Sequence, residues 1–158
     1  MHTMAALKTS RRGEHGQATI ELALTLPLLL LVVLGVFDFG LMFQRFEVVT
    51  NAAREGARLA VLTSQYSTAA ARQRALDYLA SGGIPAGTCN AGTAGSLCVT
   101  VTAGTTTIAG TTPALVVNEM VVTVQYDHQH VFVGPIMGLF GSPLNVTPLR
   151  AVSRMRVE

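Results

Sequence analysis

The hydrophobic pattern divides the chain into a polar start, one long apolar run and a mixed remainder. Residues 1–16 are polar and basic without periodicity, which predicts a leader without regular structure. No side chain from Leu22 to Phe37 is charged. The whole apolar span, 18–43, would measure about 39 Å as a helix, enough to cross a hydrocarbon core of about 30 Å with some tilt. The pattern therefore predicts a membrane-spanning helix.

Two other interpretations of the apolar run are weaker. A cleaved secretory signal has an apolar region of only about 7–15 residues, followed closely by a small-x-small site that this chain lacks. A helix of a soluble protein normally has a polar side, which this run also lacks. Because Lys8, Arg11 and Arg12 precede the span, its start is expected in the cytoplasm and everything after Phe43 outside it.

The helix is predicted to continue beyond the span to about Leu62, because residues 44–62 contain no proline. Ala52, Gly56 and Ala60 recur at every fourth position, so they form a stripe of small residues along this part of the helix. Such a stripe lets another helix or a sheet approach closely, and we interpret it as a packing face. The alternative is ordinary helix propensity with one tolerated glycine.

A second helix is expected from Thr68 to Ala80, with Ser67 or Thr68 capping its start and Gly82 closing its end. Further along, apolar and polar residues alternate as in strands at 97–102, 120–126 and 151–157. The intervening residues 131–144 combine apolar residues with Gly and Pro, which predicts a folded loop.

These elements predict an α+β fold, in which a long N-terminal membrane helix continues into a small extracytoplasmic domain with a second helix and an antiparallel sheet. The expected divisions are a cytoplasmic leader at 1–16, the membrane-spanning and extended helix at 17–63, and the domain at 64–158.

Charge and composition narrow the class of protein. Charged residues make up 13% of the chain, about half the fraction of an ordinary soluble domain, and apolar residues 49%. Three of the 11 basic and one of the nine acidic residues lie before Gln17, so the chain from Gln17 onward is neutral. A neutral body with scattered arginines is not expected to bind nucleic acid.

The junction between leader and helix holds the most informative motif, Gly16-Gln17-Ala18-Thr19-Ile20-Glu21. A glutamate at the centre of a spanning helix costs about 2.5–3.5 kcal/mol to insert; near the helix end the cost is smaller, but a polar partner is still expected. Cleavage after Gly16 would create one, because the new α-amine of Gln17 is cationic or nearly so at neutral pH. This amine suits Glu21 of an adjacent, axially shifted helix. The alternative is an interfacial glutamate that contacts lipid headgroups.

The chain resembles the TadE-like pseudopilin family in this motif and in further runs: Leu24-Thr25-Leu26-Pro27-Leu28-Leu29-Leu30, Asp38-Phe39-Gly40, Asn51-Ala52-Ala53-Arg54-Glu55-Gly56-Ala57-Arg58 and the ending 151–158. The resemblance implies a role in the tight-adherence, Flp-type pilus machinery. It also implies that a prepilin peptidase cuts between Gly16 and Gln17 and that Glu21 is the family's acidic position. Gln17 stands where type IV pilins often have phenylalanine, so N-methylation is not supported.

The resemblance implies a membrane protein that is not an enzyme and whose partners are the peptidase and other pilin or assembly subunits. Its expected place is the bacterial inner (plasma) membrane, single-pass, with the domain periplasmic or extracellular, and incorporation into the pilus is a further expectation. The main alternative is an uncleaved single-pass anchor that displays a binding domain. A membrane-tethered hydrolase is disfavoured, because no nucleophile–base set or phosphate loop is visible, and no cofactor or small-molecule substrate is expected.

Two residues of the apolar run lead to specific structural predictions, one about the shape of the helix and one about its surroundings. Pro27 cannot donate to the carbonyl of Ala23, so a kink or local loosening is expected. Asp38 lies about 25 Å beyond Glu21 along the helix, which puts it near the outer interface. There it either docks onto the domain or a partner, or faces the headgroups.

The cysteines and the later histidines complete the candidate chemistry. Cys89 and Cys98 are the only cysteines, and outside the cytoplasm they are expected to form a disulfide that stabilises by about 2–3 kcal/mol in the loop-closure account. His128 and His130 share a face if the strand continues to them, but zinc needs three or four ligands. We therefore expect them in an exposed turn, with no metal site.

Overall fold

The computed structural model describes residues 12–62, 67–110, 113–139, 141 and 146–157. These residues form helices and strands in the order α1 (Arg12–Leu62), α2 (Thr68–Ser81), β1 (Leu97–Ile108), β2 (Leu115–Gln129), α3 (Val133–Leu139) and β3 (Val146–Arg156). The predicted α+β class is confirmed by the long N-terminal apolar helix, the second helix and the three-stranded antiparallel sheet.

Helix α1 begins earlier than the sequence predicts. It starts at Arg12, so the prediction of no regular structure is wrong for residues 12–16, while residues 1–11 lie outside the described residues. No proline stands between Arg12 and Leu26, so the helical hydrogen bonding of the apolar run propagates backward to the basic start. Within the described part of the chain, one helix, Gly16–Leu62, is long and apolar enough to cross a membrane.

The helix continues past Pro27. In the turn before it, the hydroxyl of Thr25 donates to the carbonyl oxygens of Glu21 at 2.9 Å and of Leu22 at 3.3 Å. Within a helix the backbone amides supply the donors for the carbonyls, and Pro27 lacks the amide that would pair with the carbonyl of Ala23. The contacts of the Thr25 hydroxyl are made to other carbonyls, so they are additional to the bond that the proline cannot make.

The sheet has the order β1-β2-β3, with β2 in the centre and both pairings antiparallel. Val124 of β2 lies opposite Val99 of β1 and Ala151 of β3. The predicted strands are confirmed, and β1, β2 and β3 are each longer than their clearest alternating segments. The β1–β2 pairing extends over residues 103–108 because this threonine-rich stretch tolerates an extended backbone.

The core lies between the sheet and the helices α1 and α2. Its members include Val122 and Val124 of β2, Leu79 of α2, and Val49 and Ala53 of α1, all at most 1% exposed. The outer third of α1 is therefore part of the domain, and the apolar start of the same helix has no contact with this core.

Helix α2 is confirmed with Ser67 as its N-cap, whose side chain accepts from the amide of Ala70 at 3.2 Å. Its C-cap is Gly82, as expected. The predicted loop at 131–144 is corrected in one respect, because residues 133–139 form the short helix α3. Pro135 is compatible with this helix because it lies in the first turn, where an amide has no intrahelical acceptor.

The predicted disulfide between Cys89 and Cys98 is confirmed, with a Cα–Cα distance of 4.8 Å. The loop that it closes is fastened to the end of β2. Gly95 donates its amide to the carbonyl of Asp127 at 2.9 Å, and the Asp127 carboxylate accepts from the amide of Gly92. Asp127 is 1% exposed, so it is a structural acceptor within this loop.

Candidate functional site

The proposed processing residues lie at the exposed start of α1. Gly16, Gln17 and Glu21 are all exposed, and Glu21 lies about 7.5 Å along the helix axis from Gly16. Among the described residues, the Glu21 carboxylate has no hydrogen-bond or ion-pair partner. The domain does not reach this part of the helix, so the motif is open to another molecule.

Asp38 marks the place where α1 changes surroundings. Nearly all large apolar side chains from Ile20 to Phe37 are exposed, Leu24 by 75%, whereas Asp38 is 0% exposed. It is the first buried residue among the described side chains of α1. The stretch before Asp38, from Gln17 to Phe37, measures about 32 Å as a helix, close to the roughly 30 Å of a hydrocarbon core. Beyond Asp38 the side chains of Phe39 and Phe43 are exposed as well, so the exposed apolar surface continues over the predicted run of 18–43.

The carboxylate of Asp38 holds the segment between β2 and α3 against the helix. It accepts hydrogen bonds from the backbone amides of Val131 at 3.0 Å, Phe132 at 3.2 Å and Val133 at 2.9 Å. Charge-assisted hydrogen bonds of this kind are stronger than neutral ones. Of the alternatives for Asp38, the structure therefore selects docking onto the domain.

Aromatic side chains flank this carboxylate on both sides. The rings of Phe37 and Phe132 meet edge to face with centroids 6.0 Å apart, and those of Phe39 and His130 do so at 6.4 Å. Edge-to-face pairs stabilise beyond the area that they bury. These contacts bring α1 and the segment that follows β2 together around Asp38.

The expectation of an exposed turn at the later histidines is wrong. Strand β2 runs to Gln129, His128 is 5% exposed, and the side chain of His130 is 10% exposed. The reason is tertiary, because α1 covers this end of the strand with Asp38. Burial lowers the pKa of His128 below its ordinary value, and the neighbouring His130 lowers it further.

The structure brings Asp38, His128 and His130 together into one cluster. One potential ligand atom from each lies within 4.8 Å of the others. His130 Nδ1 is 3.6 Å from Asp38 Oδ2, and His130 Nε2 is 2.9 Å from the hydroxyl of Thr147. Sequence reasoning missed this cluster because Asp38 is about 90 positions away from the histidines.

The small-residue stripe lies at the centre of the domain's helix packing. Ala52 and Ala60 are 0% exposed, and Gly56 is buried as well. A Cβ at Gly56 would lie 3.1 Å from the carbonyl oxygen of Ala71 and 3.4 Å from a methyl of Val122. The glycine therefore allows α1 to contact both α2 and the sheet.

Two polar contacts that the sequence did not predict also fasten α1 to α2. Arg45 donates to the carbonyl oxygen of Gly83, just beyond the C-terminal end of α2. Arg74 and Glu55 form an ion pair with an N···O distance of 2.8 Å. No periodic pattern reveals these partners, because each pair joins two different helices or a helix and a loop.

An exposed apolar helix that carries a small α+β domain fits a single-pass membrane protein. The family model described as TadE-like protein matches residues 16–58, and the expected resemblance is confirmed over this segment. The match begins at Gly16 and includes Glu21, Asp38 and Gly56. It ends before α2, so the sheet and the disulfide loop lie outside it. No curated protein and no solved structure matches the chain.

Proposed function

We propose that this protein is a pseudopilin or minor pilin that acts in the assembly of a Tad/Flp-type pilus for adhesion. The observation that carries the proposal is the position of the motif from Gly16 to Glu21. It stands at the start of an exposed apolar helix of membrane length and opens the segment that matches the TadE-like family.

In this proposal the helix inserts with its basic start in the cytoplasm and its domain outside. A prepilin peptidase then removes residues up to Gly16 and leaves Gln17 as the new N-terminus. The disulfide between Cys89 and Cys98 supports this orientation, because such bonds persist in oxidising compartments and are rare in the cytosol.

Assembly in this proposal rests on Glu21. Its carboxylate has no partner among the described residues and lies on a helix surrounded by apolar side chains. An ionised group in such surroundings is stabilised strongly by a charge of opposite sign. The amine of Gln17 on a neighbouring helix supplies that charge after cleavage, which links processing to association.

Processing is tested with Gly16→Val and the matched control Gly13→Val, each expressed in cells with an active prepilin peptidase. We expect the wild-type protein and the control to be extracted from the membrane with Gln17 as the first residue. Gly16→Val is expected to keep the leader, because a branched side chain replaces the glycine at the scissile bond. Intact-mass measurement and N-terminal sequencing provide the readout.

A wild-type protein that still begins at Met1 in these cells would contradict the processing step. It would favour the alternative in which the helix is an uncleaved anchor for a binding domain. Equal cleavage of Gly16→Val and wild type would show that the enzyme cuts elsewhere.

A further inference from the structure

The cluster of Asp38, His128 and His130 contains unsatisfied polar atoms in a buried place. His128 Nε2 and His130 Nδ1 have no hydrogen-bond partner among the described residues, and both are inaccessible to solvent. Leaving a buried polar group without a partner costs about 1–3 kcal/mol. The two nitrogens and the neighbouring carboxylate can each present a lone pair, which is an arrangement that can bind a cation.

The contacts of His130 favour a cation as the partner of these nitrogens. When Nε2 carries the proton, it donates to the Thr147 hydroxyl at 2.9 Å, and Nδ1 presents a lone pair to Asp38 Oδ2 at 3.6 Å. Two acceptors then face each other, which is unfavourable unless a proton on Nδ1 or a metal cation lies between them. With the other tautomer, Nδ1 and the carboxylate are still too far apart for a good hydrogen bond.

We propose that Asp38, His128 and His130 bind a zinc ion. Two imidazole nitrogens and one carboxylate oxygen form a ligand set that suits Zn²⁺ and is poorly suited to Ca²⁺ or Mg²⁺, which prefer oxygen. The hydrogen bond from His130 Nε2 to Thr147 is the outer contact that orients a histidine ligand. Water completes the coordination.

The geometry requires a small contraction. Ligand atoms at about 2.1 Å from a tetrahedral ion lie about 3.4 Å apart, so separations of up to 4.8 Å between these atoms must shorten by as much as about 1.4 Å. Asp38 can still contribute through Oδ1, which accepts one amide, that of Val131, whereas Oδ2 accepts from both Phe132 and Val133. The guanidinium of Arg45 is the nearby charge that opposes the ion.

The position of the site gives it a structural role. Asp38 belongs to α1, whereas His128 belongs to β2 and His130 directly follows it. A zinc ion here joins the membrane helix to the central strand of the sheet. Metal binding then stabilises the attachment of the domain to the helix, because the ion binds only when the two are docked.

The test uses the full chain in detergent micelles, purified without a polyhistidine tag. His2 and His15 are replaced by glutamine in every sample, so that His128 and His130 are the only imidazoles. Titration with Co²⁺ is followed by visible absorption, and Zn²⁺ is then added in competition. We expect saturable binding of one Co²⁺ per chain, d–d bands of a four- or five-coordinate ion, and loss of these bands when Zn²⁺ displaces it.

His128→Gln and His130→Gln are compared with this background protein. Each substitution is expected to weaken Zn²⁺ binding by roughly tenfold or more, because it removes a direct ligand. Circular dichroism and thermal unfolding check that each variant is folded, and His130→Gln decides the question if His128→Gln does not fold. The proposal is overturned if the folded variants bind Zn²⁺ as tightly as the background protein, or if the background protein binds with a Kd weaker than about 1 mM.

Discussion

Among single residues, Asp38 has the most distinctive environment in this protein. A carboxylate in the apolar part of a sequence usually indicates a functional group or an interfacial residue. Here its three amide donors come from Val131, Phe132 and Val133, and the residue is completely buried. Asp38 therefore attaches α1 to the domain, at the first buried position among the described side chains of the helix.

Replacement of Asp38 by asparagine should weaken this fastening. The amide group presents one acceptor oxygen in place of two and adds a donor that faces backbone donors. We expect a loss of about 2–3 kcal/mol in the local stability of residues 131–133, which corresponds to about 30- to 150-fold faster exchange of their amide hydrogens. Hydrogen exchange measured by mass spectrometry or NMR in micelles provides the readout.

Asp77→Asn is the matched control, because the Asp77 carboxylate is exposed and, within the described part of the chain, accepts only from the side-chain amide of Gln73. This control should change stability by less than about 0.5 kcal/mol. Equal exchange at Val131–Val133 in wild type and Asp38→Asn would contradict the role assigned to Asp38.

Among the secondary-structure elements, α1 is a single helix whose two parts have different surroundings. Its first part is exposed and apolar on all sides, whereas its outer part has a buried side built on Ala52, Gly56 and Ala60. Small residues were sufficient to predict a packing face but not its partner. The structure shows that the partner is both α2, at Ala71 and Ala75, and the sheet.

Gly56→Leu should destabilise the domain by about 1–3 kcal/mol, because overpacking forces the neighbouring backbone and side chains to move. A Cβ at this position already lies 3.1 Å from the backbone carbonyl of Ala71 and from the Cβ of Ala75. Gly40→Leu is the control on the same helix, since a Cβ at Gly40 meets nothing within 4 Å. The free energy of unfolding is measured with denaturant in micelles. A Gly56→Leu protein as stable as Gly40→Leu would show that the helices tolerate a wider separation.

At the level of the whole molecule, the domain is attached to α1 along much of the outer part of the helix. The contacts begin at Asp38, continue through Arg45 and Glu55, and reach Ala60, a distance of about 33 Å along the axis. A helix fastened at so many points carries its domain as one body. In the proposed role, a force applied to the apolar segment of α1 would therefore be transmitted to the domain.

Glu21→Ala should separate insertion from assembly. The variant keeps the apolar helix and the domain, so it should reach the membrane in normal amount. When the variant is the only copy in the cell, the yield of sheared pili should be at least about tenfold lower than in wild type. This reduction corresponds to the loss of about 1.4 kcal/mol or more of pairing free energy.

Glu47→Ala, which removes an exposed glutamate from the outer part of the same helix, should leave the pilus yield unchanged. Normal pilus yield from Glu21→Ala would favour the anchor interpretation, because an anchor has no need for this carboxylate.

The sequence alone determined the features that depend on neighbours along the chain. Charge-free length predicted the spanning helix, capping residues predicted α2 from Ser67 to Gly82, and alternation predicted the strands. The disulfide could also be predicted from the sequence, since Cys89 and Cys98 are the only cysteines and are nine positions apart. Local periodicity is sufficient here because hydrogen bonding within a helix, and side-chain alternation in a strand, act over a few residues.

The tertiary structure alone decided where Asp38 docks and what surrounds His128 and His130. The amides that bind Asp38 are 93–95 positions away in sequence, and no periodic pattern links residues at that separation. Two histidines at the end of a strand are exposed or buried according to whether another element covers them. Because α1 lies over this end of β2, Asp38, predicted near an interface, and the two histidines, predicted in a turn, form a buried cluster.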